Sequence, residues 1–256
     1  MSNTDAETLA GLIQTSSTLF VTGAGISVAS GISPFRGSDP DAVWNKDVLE
    51  KATLNYFHRH PVESWNWYLG RFNSISGALP NAAHVAIRDI EKKFPSTKVL
   101  TQNIDGLHQA AGSQNLIHIH GNWLTVRCTG KYCANGSKSG TISGFVYPEK
   151  FETCPKCDKC GKNLRPHVLW FDESYDGHKE YRYNDALNWM NDAEVIIFVG
   201  TSFSVGITNL ALNVGERNGA LMVVIDPNMT QPPLSDMILI SEAAEVFLPK
   251  LEAELQ

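Results

Sequence analysis

The sequence predicts an α/β fold: a Rossmann-like parallel sheet with helices on both faces and a smaller inserted lobe. Two observations carry this. Short, nearly continuous apolar runs recur at Thr18–Val21, Lys98–Leu100, Leu116–Ile119, Val195–Val199 and Leu221–Ile225, each bounded by Gly, Asn, Asp or Pro. Runs without polar alternation suit strands covered on both faces, as parallel strands are. Helical candidates, such as Ala82–Lys93 and Tyr183–Asn191, lie between the runs, and that alternation builds a parallel sheet.

Composition sets the bounds. With 256 residues, 43% of them hydrophobic, the chain can bury a substantial core. Its net charge is −6 and no basic block or stripe appears, which argues against nucleic acid as a partner. No run of about 18 apolar residues is present, so no membrane partner is expected. The start Met1-Ser2-Asn3-Thr4-Asp5 lacks the basic region and apolar core of a signal peptide. A cytoplasmic, reducing compartment and a monomer are the expectations.

The first strand runs into Thr22-Gly23-Ala24-Gly25-Ile26-Ser27-Val28-Ala29-Ser30-Gly31. Two glycines let the backbone turn tightly and approach a ligand closely. Small residues then open a predicted helix, whose free N–H groups suit a diphosphate. Strand, glycine turn and helix together point to a dinucleotide. The standard G-x-G-x-x-G has its third glycine where this chain has Val28, so a tight turn without a ligand stands beside this reading. The loops after the later strands read Gln102-Asn103-Ile104-Asp105, His120-Gly121-Asn122, Gly200-Thr201-Ser202 and Asp226-Pro227-Asn228. Ligands of open parallel sheets bind beyond the carboxyl ends of the strands, where these polar segments lie.

Two stretches interrupt the alternation. Residues 35–76 are rich in Trp, Tyr and His, with helical spacing late on, and residues 128–163 hold all five cysteines. The predicted organisation over 1–256 is a core of 1–34, 77–127 and 164–256, a helical insertion at 35–76 and a metal-binding module at 128–163. The cysteines read Cys128-x4-Cys133 and, after a loop, Cys154-x2-Cys157-x2-Cys160. Two cysteine pairs separated by a loop match a tetrahedral zinc ribbon. Four thiolates leave no open position, which makes the ion structural. The pattern leaves one cysteine spare without saying which.

Taken together, these segments resemble the sirtuin family of NAD-dependent protein deacylases. Gly23-Ala24-Gly25-Ile26-Ser27-x-x-Ser30-Gly31-Ile32 with Phe35-Arg36-Gly37 is similar to the family's first signature. Thr101-Gln102-Asn103-Ile104-Asp105-Gly106-Leu107-His108 is similar to its second, and His120-Gly121 to its catalytic histidine segment. Leu164-Arg165-Pro166-His167-Val168-Leu169-Trp170-Phe171 and Gly200-Thr201-Ser202 resemble later ones. The order of motifs covers nearly the whole chain. The chain departs from the family in four places. It has Ser33-Pro34 ahead of Phe35, Phe171-Asp172-Glu173 for Phe-Gly-Glu, His118 for an acidic residue, and Asp226 for an asparagine at the adenosine ribose.

The resemblance implies removal of acyl groups from protein lysines, with release of nicotinamide and O-acyl-ADP-ribose. It makes His120 the general base, since imidazole titrates near neutrality, with Asn103 and Asp105 beside it. Strand alternation sets His118 and His120 on one face and Ile117 and Ile119 on the other. The resemblance assigns NAD to Gly23, Ala24, Gly25, Ser27, Phe35, Arg36, Gln102, Asn103, Asp105, His120, Gly200, Thr201, Ser202 and Asp226, and zinc to Cys128, Cys133, Cys157 and Cys160. Cys157 is chosen over Cys154 because Cys157-x2-Cys160-Gly161 fits a knuckle at the family's spacing. Asp105-Gly106 also suits an Asx turn that caps the next helix, and both roles are compatible.

The segment from Ala52 to Arg71 resembles the desuccinylase-type branch of the family, in which Tyr-x-x-Arg binds an acidic acyl chain beside a small alanine. Tyr68 and Arg71, three apart, share a helix face, and a guanidinium with a phenol can hold a carboxylate. The expected substrate residues are therefore Ala52, Tyr68, Arg71 and Phe171, with succinyl or malonyl groups preferred over acetyl. The branch tends to have Thr-Pro where this chain has Thr53-Leu54. Three other readings stand beside this one: a general deacetylase, an NAD glycohydrolase or mono-ADP-ribosyltransferase on the same scaffold, and a zinc-ribbon module that only senses NAD.

Overall fold

A computed structural model describes residues 3–33, 46–136 and 140–255. The strands are β1 (Thr18–Thr22), β2 (Lys98–Thr101), β3 (Leu116–His118), β4 (Gly121–Cys128), β5 (Ile142–Ser143), β6 (Leu164–Val168), β7 (Val195–Val199), β8 (Leu221–Ile225) and β9 (Ile238–Ile240). Six of them form one sheet in the order β3-β2-β1-β7-β8-β9, parallel throughout. The chain winds outward from β1 to β3, then returns to lay β7 against β1. The strand order reverses there, and the crevice at that reversal is where such sheets bind ligands.

Helices cover both faces, which explains the unbroken apolar runs. On one face Phe20, Ile197, Val223 and Ile225 meet α1 (Asn3–Thr15), α5 (Ala82–Lys93) and α9 (Ala244–Glu254). On the other, Leu19, Val21, Ile196, Phe198 and Val224 meet α7 (Tyr183–Asp192) and α8 (Gly206–Asn218). Successive residues of β1 and β7 thus enter opposite cores. Each fully buried Leu or Ile contributes about 1.5–3 kcal/mol. The sixth strand, β9, is absent from the sequence expectation, although Met237-Ile238-Leu239-Ile240 is an apolar run bounded by Asp236 and Ser241.

The segment after β1 differs from the predicted helix. Ala24–Ser30 forms a 3-10 helix that ends at Gly31, whose φ is 82°. Gly25, Ile26, Ser27, Val28 and Ser30 favour α-helix less than its two alanines do. It is also held tightly at its flank. Asn81, the N-cap of α5, donates from Nδ2 to the Ile26 carbonyl (2.7 Å) and to Ser30 Oγ (3.0 Å). The same Asn81 accepts from Ala83 N, and its own N–H is taken by His84 Nδ1.

A second, three-stranded sheet, β5-β4-β6, is antiparallel. Its β4 and β6 pair across the expected boundaries at 127 and 164, joining residues 121–127 and 164–168 to the cysteine-bearing segment. Pro166 sits on the edge strand, where a missing N–H leaves no ladder bond unmade. Against this sheet pack α2 (Lys46–Lys51), α3 (Leu54–Arg59) and α4 (Pro61–Ile75), through Phe57, Trp65, Leu69 and Phe72. Trp65 is fully buried and donates its indole N–H to the Leu164 carbonyl (2.9 Å).

Charge is buried between the sheets. Arg165 holds Glu173 with two hydrogen bonds (2.6 and 2.8 Å), and Arg127 adds a third at 2.8 Å. Burial alone would raise the Glu173 carboxyl; Arg165 and Arg127 outweigh it and hold it below its usual range. Three histidines, His84, His108 and His167, are also buried, at 0%, 1% and 2% exposure. Desolvation pushes all three down, His84 to about 4. A histidine depressed in the folded state binds its proton more readily when unfolded. Its stabilising contribution is complete above the ordinary histidine range and disappears as pH falls toward the folded value. Each such group makes stability fall by up to about 1.4 kcal/mol per pH unit below pH ~6.5. The urea-unfolding midpoint should drop steeply between about pH 6.5 and 4.5; a flat midpoint over that range would contradict the neutral buried state.

Candidate active site

The crevice opens where the loops after β1 and β7 touch. Gly23 N donates to the Val199 carbonyl (3.0 Å) and Gly25 N to the Gly200 carbonyl (2.9 Å). A Cβ on Gly25 would lie 2.6 Å from Gly200 Cα, and one on Gly200 would lie 2.4 Å from Ile26 N. Gly200 has φ +58°, a second reason for glycine there. The two loops therefore meet backbone to backbone at the carboxyl ends of β1 and β7, with Ala24 beside the contact. Thr201 is buried and accepts from Gln102 Nε2 (3.3 Å). Ser202 is exposed at the loop, its Oγ 2.7 Å from Ser204 Oγ. Asp226 caps its own turn by accepting from Asn228 N (2.8 Å), at the carboxyl end of β8.

The loop after β2 supplies the polar wall. Gln102 N donates to the Thr22 carbonyl (3.0 Å), which fixes the loop to the end of β1. Asn103 Nδ2 donates to the Gly23 carbonyl (3.0 Å) and to Ser27 Oγ (3.1 Å). Ser27 donates to Asp105 Oδ2 at 2.7 Å. The other carboxylate oxygen, Oδ1, accepts from Leu107 N (2.9 Å) and caps α6 (Leu107–Ala111). Asp105 thus makes the Asx turn and also faces the site residues. Ser27, Asn103 and Asp105, from two loops, form one hydrogen-bonded set.

His120 stands next to this set, half-buried, just beyond β3. Its Nδ1 lies 2.9 Å from the Gln102 carbonyl. A carbonyl only accepts, so Nδ1 carries the proton and Nε2 keeps a lone pair in the neutral ring. Desolvation lowers its pKa to about 4, against the opposing bond to Gln102. The ring is therefore neutral at pH 7. Nε2 faces the hydroxyl of Tyr175 at 3.5 Å, and the two rings stack at 5.8 Å. Tyr175 is missing from the sequence expectation, since nothing in its neighbourhood marks it. Burial likewise lowers His118. Gly121 has φ +74°, and a Cβ there would lie 1.9 Å from the His167 carbonyl. Glycine after His120 is thus dictated by the β4–β6 contact.

Ala52, Tyr68 and Arg71 come from the helical segment. Ala52 and Tyr68 are buried, at 6% and 3% exposure. The Tyr68 ring stacks on Trp170 at 6.1 Å, and burial raises its hydroxyl pKa. Arg71 is partly exposed, lies 5.1 Å over the Trp67 ring and interacts electrostatically with Tyr68. Phe171 is half-exposed and donates its N–H to the Ala52 carbonyl (3.1 Å). Phe35 and Arg36 lie outside the described residues.

Cys128, Cys133, Cys157 and Cys160 bring their sulfurs within 4.8 Å of one another. Two S···S distances are 3.3 Å (Cys128–Cys160) and 3.6 Å (Cys133–Cys157). Thiolates about 2.3 Å from a tetrahedral zinc sit ~3.8 Å apart, so the four fit that ion. Gly130 supports the knuckle by donating from N to Cys128 Sγ (3.2 Å). Cys154 stands apart, its sulfur 3.7 Å from the Leu164 carbonyl. Metal analysis should find one zinc per chain in the Cys154→Ser protein. Cys157→Ser should lose it and melt at least ~10 °C lower; equal zinc in both would reverse the assignment.

Comparison with known proteins agrees with this arrangement. Residues 23–206 match the model of the Sir2 family. The chain is 36% identical to an NAD-dependent protein deacetylase of Sulfolobus acidocaldarius over 235 residues, 92% of this chain and 88% of that one. It is 38% identical to an NAD-dependent protein deacylase of Leptospira interrogans over 237 residues, 92% and 91% of the two chains. A solved Sir2 homologue–NAD complex superposes with a TM-score of 0.79 at 34% identity, over 97% of this chain and 93% of that one. The glycine-floored cleft, the histidine beyond β3 and the four-cysteine cluster thus sit in a chain that belongs to the Sir2 family.

Proposed function

We propose that this chain is an NAD-dependent protein-lysine deacylase that prefers acidic acyl groups. The observation that carries the reaction is His120, held neutral with Nε2 unprotonated beside a backbone-lined cleft. Family membership and the names of its relatives support NAD as co-substrate.

NAD, when bound, supplies a ribose carbon from which nicotinamide can leave. The protein's part is to hold, orient and deprotonate. Gly23, Ala24, Gly25 and Gly200 allow close approach of a diphosphate, because no side chain fills the floor. Thr201, Ser202 and Asp226 offer hydroxyls and a carboxylate to the adenosine half. Gln102, Asn103, Asp105 and Ser27 form the wall toward the nicotinamide half, and their mutual bonds fix them before any ligand arrives. His120 Nε2 takes a proton from a ribose hydroxyl. Its Nδ1–H stays on the Gln102 carbonyl and keeps the ring oriented.

The acyl preference rests on Tyr68 and Arg71. A partly buried guanidinium next to a buried phenol suits a terminal carboxylate. A succinyl or malonyl chain brings a carboxylate that a guanidinium and a phenol can bind, and an acetyl group has none. Ala52 leaves room for the longer chain.

Peptides carrying succinyl-, malonyl- or acetyl-lysine, followed by mass spectrometry with and without NAD, test both parts. The acidic groups should be released faster. Arg71→Met should slow their release by at least ~10-fold and leave acetyl release within ~3-fold. Faster acetyl release, unchanged in Arg71→Met, would remove the preference. His120→Ala should cut every release rate by ~100-fold or more while NAD still binds; retained deacylation would remove the base assignment.

A further inference from the structure

The segment Leu169–Asp172 touches both the histidine and the acyl-pocket wall. Leu169 N donates to the His120 carbonyl (2.8 Å). Two residues on, Phe171 N donates to the Ala52 carbonyl (3.1 Å). The next residue, Asp172, accepts from Leu54 N (2.6 Å) through Oδ1 and from Asn55 N (3.0 Å) through Oδ2. Thr53 Oγ1 accepts from Tyr56 N (3.1 Å). The first turn of α3 is therefore capped partly from within and partly by a carboxylate 118 residues away in sequence. Within the same stretch, Trp170 packs on Phe57 of α3 (5.2 Å) and on Tyr68 of α4 (6.1 Å).

The position taken by Asp172 matters because a residue without a carboxylate there could not make this cap. The sirtuin pattern has Phe-Gly-Glu where this chain has Phe171-Asp172-Glu173. Glu173 is committed elsewhere, to Arg165 and Arg127. Asp172 hydrogen-bonds the start of α3 through its side chain, beside the packing of Trp170 on Phe57. Its two charge-assisted bonds are of the stronger kind, and they fix the connection that carries Ala52.

We infer that Asp172 is a positioning residue for the acylated lysine: it sets the distance between the Ala52–Tyr68 pocket and His120 by clamping the Phe171 turn onto the start of α3. This rests on the deacylase reading above. Loss of the clamp loosens the peptide and acyl side of the site and leaves the nucleotide side, built from the β1, β2 and β7 loops, intact.

Steady-state kinetics of the full chain, zinc-loaded, provide the test. Asp172→Ala should raise KM for the acylated peptide by ~10-fold and leave KM for NAD within ~2-fold. Asp172→Asn keeps the size and one acceptor oxygen, and should show a smaller rise of the same kind. It reads the effect even where the alanine variant fails to fold. The effect should be larger for succinyl- than for acetyl-lysine, because a longer chain reaches deeper toward Ala52. Peptide and NAD constants unchanged in both variants would overturn the clamp alone, with the wild type still active. Equal rises in both constants would also overturn it, since they signal a general loosening. A wild-type protein inactive on every acyl peptide would overturn the deacylase reading and the clamp with it.

Discussion

Backbone against backbone, Gly25 on Gly200, is the contact on which the cleft depends. The two loops belong to β1 and β7, adjacent strands at the reversal of strand order. Any side chain at either position would push the loops apart and fill the floor. Everything on the rim is placed relative to this contact. Gln102 reaches Thr201 across it, Asn103 holds the Gly23 carbonyl, and Ser27 holds Asp105. The wall is thus rigid because its members satisfy one another, which is the preorganisation that a charge-developing reaction needs.

The second constraint is electrostatic and lies beneath the lobe. One carboxylate, Glu173, pairs with two guanidiniums, and Arg165 also lies 3.3 Å over the Trp170 ring. A buried charge without its partner is costly, so the three residues and the turn around Trp170 form one block. That block faces α3 and α4 on one side and reaches the His120 backbone on the other. The helical segment that carries Ala52 and Tyr68 and the strand end that carries His120 are thereby parts of the same packed unit.

Much of the sheet was legible in sequence, because coverage on both faces turns a strand into a continuous apolar run. β1, β7 and β8 are such runs. β9 lies in one too, Met237–Ile240, yet is absent from the sequence expectation, and it pairs with β8 at the edge of the sheet. β6 was harder still. Leu164-Arg165-Pro166-His167-Val168 looks mostly polar, yet all five are buried, because Glu173 and the neighbouring rings satisfy Arg165. Hydropathy cannot see a partner eight residues on. The cysteine spacing showed a metal site, the Cys157-x2-Cys160-Gly161 knuckle left Cys154 as the spare, and the fold turns Cys154 toward Leu164, away from the other four. The histidine, the asparagine and the glycines were found through their place after strands. Tyr175 and the Asp172 cap were not, since each acts through a contact between distant segments.

The strand order has a consequence for biosynthesis. β1 leaves the ribosome long before its neighbour β7, which begins at Val195. Until then a nascent chain can offer β1 only β2, and a bare hydrogen-bonding edge remains beside Leu19, Phe20 and Val21. The seam at the middle of the finished sheet therefore stays open until β7 has been made. An exposed apolar edge of that kind is what holdase chaperones capture, and such handling suits a chain whose central pairing spans so much sequence.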